Sequence, residues 1–172
     1  MRTQIKFPVI TLLVFLSLQV WAATPTVPKA ILPLAPRPAP ALKLNDMDGN
    51  TYDLSVAQGR WKFVHFWASW CGPCRKEMPS IQRMLERMQG ASLEFVIVNV
   101  AESEDTVFSF LASVAPDIHS LLDSDGLATE QWQPRGLPST YLVDPQGNIR
   151  YVAIGGRPWD TKDYIDFLSA LK

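Results

Sequence analysis

The stretch "FWASWCGPCRKEMPS", Phe66 to Ser80, holds both cysteines of the chain, Cys71 and Cys74, with two residues between them. Three chemistries compete for such a pair. As a structural bridge it is a poor staple, because closing a loop of about four residues stabilises a fold by about 2 kcal/mol, against about 3 for fifteen. As a structural zinc site it lacks partners, since four ligands are needed and His65 and His119 do not have the short spacing of a second ligand pair. The reactive reading fits best. The pair lies between a strand ending in Trp70 and a helix starting near Pro73, where backbone N–H groups and the positive end of the helix dipole favour thiolate over thiol. Cys71 is then the exposed nucleophile, and Cys74, one turn along, resolves the mixed disulfide that Cys71 forms with a partner. Gly72 leaves the approach open, and Pro73 lacks an N–H where the first helical turn has no use for one.

Working outward, "WKFVHFW" (Trp61 to Trp67) and "SLEFVIVNV" (Ser92 to Val100) are short apolar runs that read as strands of a sheet covered on both faces. Between them Met78, Ile81, Met84, Leu85 and Met88 recur at helical spacing, which predicts a helix over Pro73 to Met88. Upstream, "ALKLNDMDGNTYDLS" alternates apolar and polar residues around Asp48-Gly49 and predicts a hairpin. Downstream, Ser103 is an N-cap for a helix through Val114, and "HSLLD" (His119 to Asp123) is a short strand. A brief helix covers Leu127 to Trp132. Strands Ser139 to Asp144 and Ile149 to Gly156 flank a "PQGN" turn, and a last helix runs from Asp160 to Leu171. This order defines an α/β layered domain: a central mixed sheet flanked by helices, with an N-terminal hairpin and a helix-strand unit inserted before the late strands.

The 172 residues carry 16 basic and 17 acidic side chains, a net charge of -1, and no basic run of the kind that neutralises phosphates, so nucleic acid is not the expected partner. Arg2 and Lys6 precede the apolar run "FPVITLLVFLSLQVWAA", closed by Ala22 and Ala23, so residues 1–22 read as a signal peptide or a retained membrane anchor. Cleavage would leave 14 basic against 17 acidic residues. Thr24 to Pro40 carries six of the fourteen prolines, and residues 23–40 read as an extended spacer ahead of a folded domain over 41–172.

"WCGPC" after an aromatic-rich strand resembles the active-site motif of the thioredoxin superfamily. Pro79, five residues after Cys74, is similar to the proline that kinks the active-site helix there and would free the Arg75 carbonyl. "GLPST", Gly136 to Thr140, resembles the superfamily's cis-proline loop, which makes Pro138 the candidate for a cis peptide. The finer resemblance is to the exported TlpA/ResA-like branch of thiol–disulfide oxidoreductases. It is carried by "WASWCGPCRKEMP", by "VNVAESED" and by the helix and strand over Ser103 to Asp123. This resemblance implies a thioredoxin-like fold over 41–172 and a redox-active Cys71–Cys74 disulfide in place of any bound cofactor or metal. It also implies protein thiol and disulfide substrates, and a location in the periplasm or on the outer face of the inner membrane.

Resolution by Cys74 needs a proton acceptor inside the fold. Glu77, one turn beyond Cys74 and the counterpart of a family carboxylate, is one candidate; its plain reading is a solvated helix-surface residue. His65 is the other. It stands where thioredoxins carry a buried acid, and strand alternation puts it with Phe63 and Trp67 on the side of the helix; its plain reading is a hydrogen-bonded core histidine. Trp70 is placed on the docking surface and Trp67 in the core. Leu137, by resemblance, offers its backbone N–H and C=O to an extended substrate.

Direction of exchange depends on how far the fold stabilises the reduced thiolate. Gly72-Pro73 brings no cation to Cys71, which favours a reductase, kept reduced by a membrane electron donor because the outside of the cell is oxidising. A disulfide of apocytochrome c is the candidate substrate, although Ser139 stands where that subgroup often has an acid. The rivals are an oxidase or isomerase of envelope disulfides and, from another class, a copper-binding carrier, whose cysteines are usually spaced by three residues with an added His.

Overall fold

The computed structural model describes residues 26–56 and 59–172. The signal or anchor segment, 1–22, and the first residues of the spacer lie outside them. Among the described residues no helix is long and apolar enough to cross a membrane.

The centre of the molecule is the pair of apolar runs. Strand β4 (Lys62–Trp67) lies parallel to β5 (Glu94–Val100), with Phe63 opposite Phe95 and Trp67 opposite Asn99. Every residue of β4 is buried, as a strand covered on both faces must be. Its side chains alternate between two cores. Phe63 and Trp67 join Met78, Ile81 and Met84 of helix α1 (Gly72–Arg87), whereas Val64 and Phe66 pack with Trp132, Tyr141 and Leu42 on the opposite face. Helix α2 (Glu104–Val114) and helix α4 (Lys162–Ser169) cover the α1 side, and α3 (Leu127–Trp132) the other.

Around this centre the sheet is mixed, in the order β1 (Leu32–Pro38), β8 (Asn148–Ile154), β7 (Ser139–Val143), β4, β5, β6 (Leu121–Asp123), β2 (Lys43–Asp46) and β3 (Thr51–Asp53). Strand β7 (Ser139–Val143) runs antiparallel to β4 and to β8 (Asn148–Ile154). Strand β6 (Leu121–Asp123) is parallel to β5 and carries the hairpin β2 (Lys43–Asp46) and β3 (Thr51–Asp53) on its outer edge. The hairpin turn uses Gly49 at φ +82°, a conformation that costs glycine nothing. The helix-strand unit read from the sequence therefore joins the N-terminal hairpin to the rest of the sheet. Ser103 caps α2 through a hydrogen bond from the Thr106 N–H. Pro79 lies inside α1, which continues past it to Arg87.

The spacer requires a correction. Residues Leu32–Pro38 form an edge strand, β1, antiparallel to β8, with Leu32 opposite Val152 and Pro38 opposite Asn148. Its prolines are compatible with that place, because an edge strand leaves half its N–H positions facing solvent, where proline's missing donor costs nothing and discourages further pairing. Ile31, just ahead of it, is 3% exposed in the α1-side core. The Ala30 carbonyl accepts a hydrogen bond from the Arg157 guanidinium at 3.0 Å. Composition signalled the extended backbone of this segment and concealed its packing. At the other terminus, the Trp61 indole N–H donates to the Lys172 carbonyl at 2.9 Å, which fixes the C-terminus beside the start of β4.

Because Ile31 fills a core position, Ile31→Ala is expected to lower unfolding stability by about 2–4 kcal/mol in urea titration. An unpacked spacer would give no change.

Candidate active site

Strand β4 delivers the chain to the redox loop. Its last residue, Trp67, is fully buried and its indole N–H donates to Ser120 Oγ at 3.2 Å. Ala68 to Trp70 then turns the chain, the Cys71 N–H closing on the Ala68 carbonyl at 3.2 Å. Cys71 is the N-cap of α1: its backbone is extended, and its Sγ accepts the Cys74 N–H at 3.2 Å. A sulfur thus takes the place usually given to a Ser or Asp oxygen, aimed at by the unpaired N–H groups of the first turn.

Cys71 and Cys74 are joined in a disulfide with Cα atoms 5.2 Å apart. Cys74 is fully buried and Cys71 is 6% exposed, so the order of accessibility is the one expected, but Cys71 is more enclosed than an open nucleophile. In the disulfide, the Cys71 sulfur lies against the first turn of α1, where it accepts the Cys74 N–H. Trp70, in contrast, is 67% exposed. A side chain at Gly72 would meet nothing within 4 Å, so that flank of the sulfurs is open.

The Leu137–Pro138 peptide is cis. The Pro138 carbonyl is taken by the Gly155 N–H at 2.8 Å, while no backbone hydrogen bond is made by Leu137 among the described residues. Gly156 approaches α1 so closely that a Cβ there would sit 3.0 Å from the Pro73 carbonyl oxygen. The glycine pair therefore ties the cis-proline loop to the N-terminus of the redox helix.

Beneath the disulfide, the structure unites both proton-acceptor candidates. Glu77 is 3% exposed, which overturns its reading as a solvated helix-surface residue: three positions after Cys74, it shares the inward face of α1. Its Oε2 accepts the Arg157 backbone N–H at 3.0 Å and the Trp159 indole N–H at 3.2 Å. Its Oε1 lies 3.2 Å from His65 Nε2, within ion-pair distance though misaligned for a linear hydrogen bond. His65 is fully buried on the α1 side with Phe63 stacked against it, and its Nδ1 is 2.8 Å from Thr140 Oγ1. Thr140, Arg157 and Trp159 were not singled out from the sequence. Thr140 follows from alternation once β7 is registered on β4, with His65 opposite Thr140. Arg157 and Trp159, about eighty residues beyond Glu77, give no local signal. Beside this cluster a groove of about 450 Å³ runs between Pro73, Lys76, Arg83 and Arg157 and reaches down to Glu77. Among the described residues no group of three or more His, Cys, Asp and Glu is placed to hold a metal ion.

A dithiol–disulfide pair capping a helix, set beside a cis-proline loop on a mixed sheet, defines a thioredoxin-like thiol–disulfide oxidoreductase. Comparison with known proteins narrows the class. The chain belongs to the AhpC/TSA family, whose sequence profile matches residues 36–152. It is 33% identical over 117 residues to the thiol-disulfide oxidoreductase ResA of Bacillus subtilis (strain 168), covering 68% of this chain and 65% of that protein. It is 31% identical over 120 residues to the thioredoxin-like protein YneN of the same organism, covering 68% and 69%. A solved structure from Chlorobium tepidum, described as a thiol:disulfide interchange protein DsbE, superposes with a TM-score of 0.70 at 29% identity, over 80% of this chain and 97% of that one.

Replacing Glu77 by Leu would leave the Arg157 and Trp159 N–H groups buried without an acceptor, at about 1–3 kcal/mol for each lost partner. Glu77→Leu is therefore expected to cost about 2–6 kcal/mol of stability and Glu77→Gln, which keeps one acceptor oxygen, about half as much or less. Urea unfolding of the two variants checks the order.

Proposed function

We propose that this protein reduces disulfides of other proteins outside the cytoplasm, at the periplasmic side of the inner membrane, through its Cys71–Cys74 dithiol. The observation that carries the reading is the capped sulfur above a buried acceptor pair: Cys71 Sγ held by the Cys74 N–H, with Glu77 and His65 paired on the inward face below.

The steps follow from that arrangement. In the reduced protein, the N–H groups at the start of α1 stabilise the Cys71 thiolate. This thiolate attacks one sulfur of the partner's disulfide; a Cys71–partner S–S bond forms, the partner's S–S bond breaks, and its other sulfur leaves as a thiolate. Cys74 then gives its proton to the Glu77–His65 pair, Glu77 or His65 being the acceptor. The Cys74 thiolate attacks Cys71 Sγ, closing the internal disulfide and releasing the partner's second thiolate. Two electrons have passed to the partner, whose thiolates take up two protons. A membrane-embedded dithiol donor reverses the sequence to restore the reduced state. Trp70, exposed beside Cys71, gives the partner an apolar docking surface. Leu137, whose backbone groups make no backbone hydrogen bond among the described residues, pairs with an extended partner segment, with Gly72, Pro73 and Pro138 shaping the approach.

The export half of the reading rests on the apolar N-terminal run behind Arg2 and Lys6, whether cleaved or kept as a tether. The reducing direction rests on the Gly72-Pro73 dipeptide, which brings no cation to Cys71. An apocytochrome c disulfide awaiting haem is the finer substrate proposal. The oxidase or isomerase reading and the copper carrier are its competitors.

The full chain equilibrated in a dithiothreitol or glutathione series is expected to show a reduction potential near the thioredoxin end, about −270 mV. A value near about −120 mV would replace the reductase with an oxidase, and tight copper binding by the reduced protein would favour the carrier.

A further inference from the structure

The redox loop is gripped from a second side by a residue outside the exchange chemistry. Strand β5 ends at Val100, and Ala101 takes a left-handed φ of +54°, a conformation unfavourable for a residue with a Cβ. The Ala101 N–H nevertheless stays paired with the Asp123 carbonyl at 2.9 Å, so the chain turns sharply while still attached to the sheet. That turn sends the next side chain, Glu102, back over the loop between β4 and α1. Its carboxylate accepts the Ser69 N–H at 2.7 Å, the Ser69 hydroxyl, and the side-chain amide of the fully buried Asn99 at 2.7 Å.

Ser69 is held at its other end too. Its carbonyl accepts the Arg75 guanidinium at 3.1 Å, and that guanidinium lies over the Phe110 ring, 4.9 Å from its centroid. Phe110 in turn packs against Trp67 at the end of β4. Only the exposed Trp70 separates Ser69 from Cys71. The loop thus hangs from one residue whose N–H, hydroxyl and C=O are all engaged, three of these bonds being charge-assisted.

We propose that Glu102 is a positioning residue for Cys71: acting through Ser69, it holds the redox loop in the orientation from which the Cys71 sulfur meets a partner disulfide in line. The need is geometric. Thiol–disulfide exchange requires the attacking sulfur to approach along the axis of the bond it breaks, and a loop free to swing reaches that alignment in a small fraction of its conformations. The carboxylate does not assist by charge. A negative group near Cys71 opposes ionisation of the thiol, so any catalytic benefit from Glu102 comes through position.

That opposition of sign gives the test. The inference rests on the exchange activity proposed above, and turnover of insulin disulfides by the unaltered full chain secures that basis before any variant is compared. In Glu102→Ala, the second-order rate with insulin is expected to fall at least tenfold, while the pH midpoint of Cys71 alkylation by iodoacetamide stays in place or moves down. Small alkylating agents need no docked alignment and report the thiolate alone. Glu102→Gln keeps an acceptor for the Ser69 N–H and is expected to retain the insulin rate within about threefold. The proposal is overturned if Glu102→Ala reduces insulin within twofold of the parent, or if both variants change rate only in proportion to thiolate content. Should Glu102→Ala not fold, Glu102→Gln compared with Ser69→Ala decides: a rate loss larger in Ser69→Ala than in Glu102→Gln supports the brace, and parental rates in both overturn it.

Discussion

A carboxylate that is 3% exposed has to find its partners inside the protein, and the demand of Glu77 organises the redox half of this molecule. Its two oxygens draw on parts of the chain that are distant in sequence. The loop after β8 supplies the Arg157 and Trp159 N–H groups, and β4 supplies His65, itself hydrogen-bonded to Thr140 of β7. Ser80, one helical turn from Glu77, adds a cross-brace: its single O–H has the Glu77 carbonyl at 2.8 Å and the Arg157 carbonyl at 3.2 Å as alternative acceptors, and its oxygen accepts the Trp159 N–H at 3.2 Å. The loop that carries Gly155 and Gly156 is thereby fixed against α1, and with it the cis-proline segment bonded to Gly155.

The redox disulfide consequently lies between two fixed supports of different character. Below it is the buried pair of Glu77 and His65, 3.2 Å apart. Beside it is a partly exposed carboxylate, that of Glu102, which grips the backbone of Ser69. The same residue type serves both, and the difference is environment. Glu77 faces the core from a helix, whereas Glu102 is swung over a loop by a left-handed residue at the end of a strand.

Much of this was legible in the sequence for physical reasons. β4 and β5 are continuous apolar runs because both their faces are covered, and α1 shows its buried stripe of Met78, Ile81 and Met84 at helical spacing. Alternation along β4 placed His65 on the helix side without any knowledge of its partner. Three things could not be read. The proline content of residues 32–38 signals extended backbone equally for a free spacer and for an edge strand, and only the open edge of β8 decides between them. The pairing of His65 with Glu77 depends on the distance between two elements, which no local pattern encodes. The Ser69 brace depends on the unusual backbone of Ala101, a residue whose composition predicts nothing of the kind.

The two ends of the folded chain lie at opposite poles. Ala30 is bonded to Arg157, in the loop that clamps Glu77, whereas Lys172 is bonded to Trp61 at the base of β4. A label attached at Ala30 would therefore sit beside the loop that clamps Glu77. A tag, dye or immobilising surface attached after Lys172 is held a full strand length away and leaves the mouth of the site clear, which makes the C-terminus the handle of choice for binding studies.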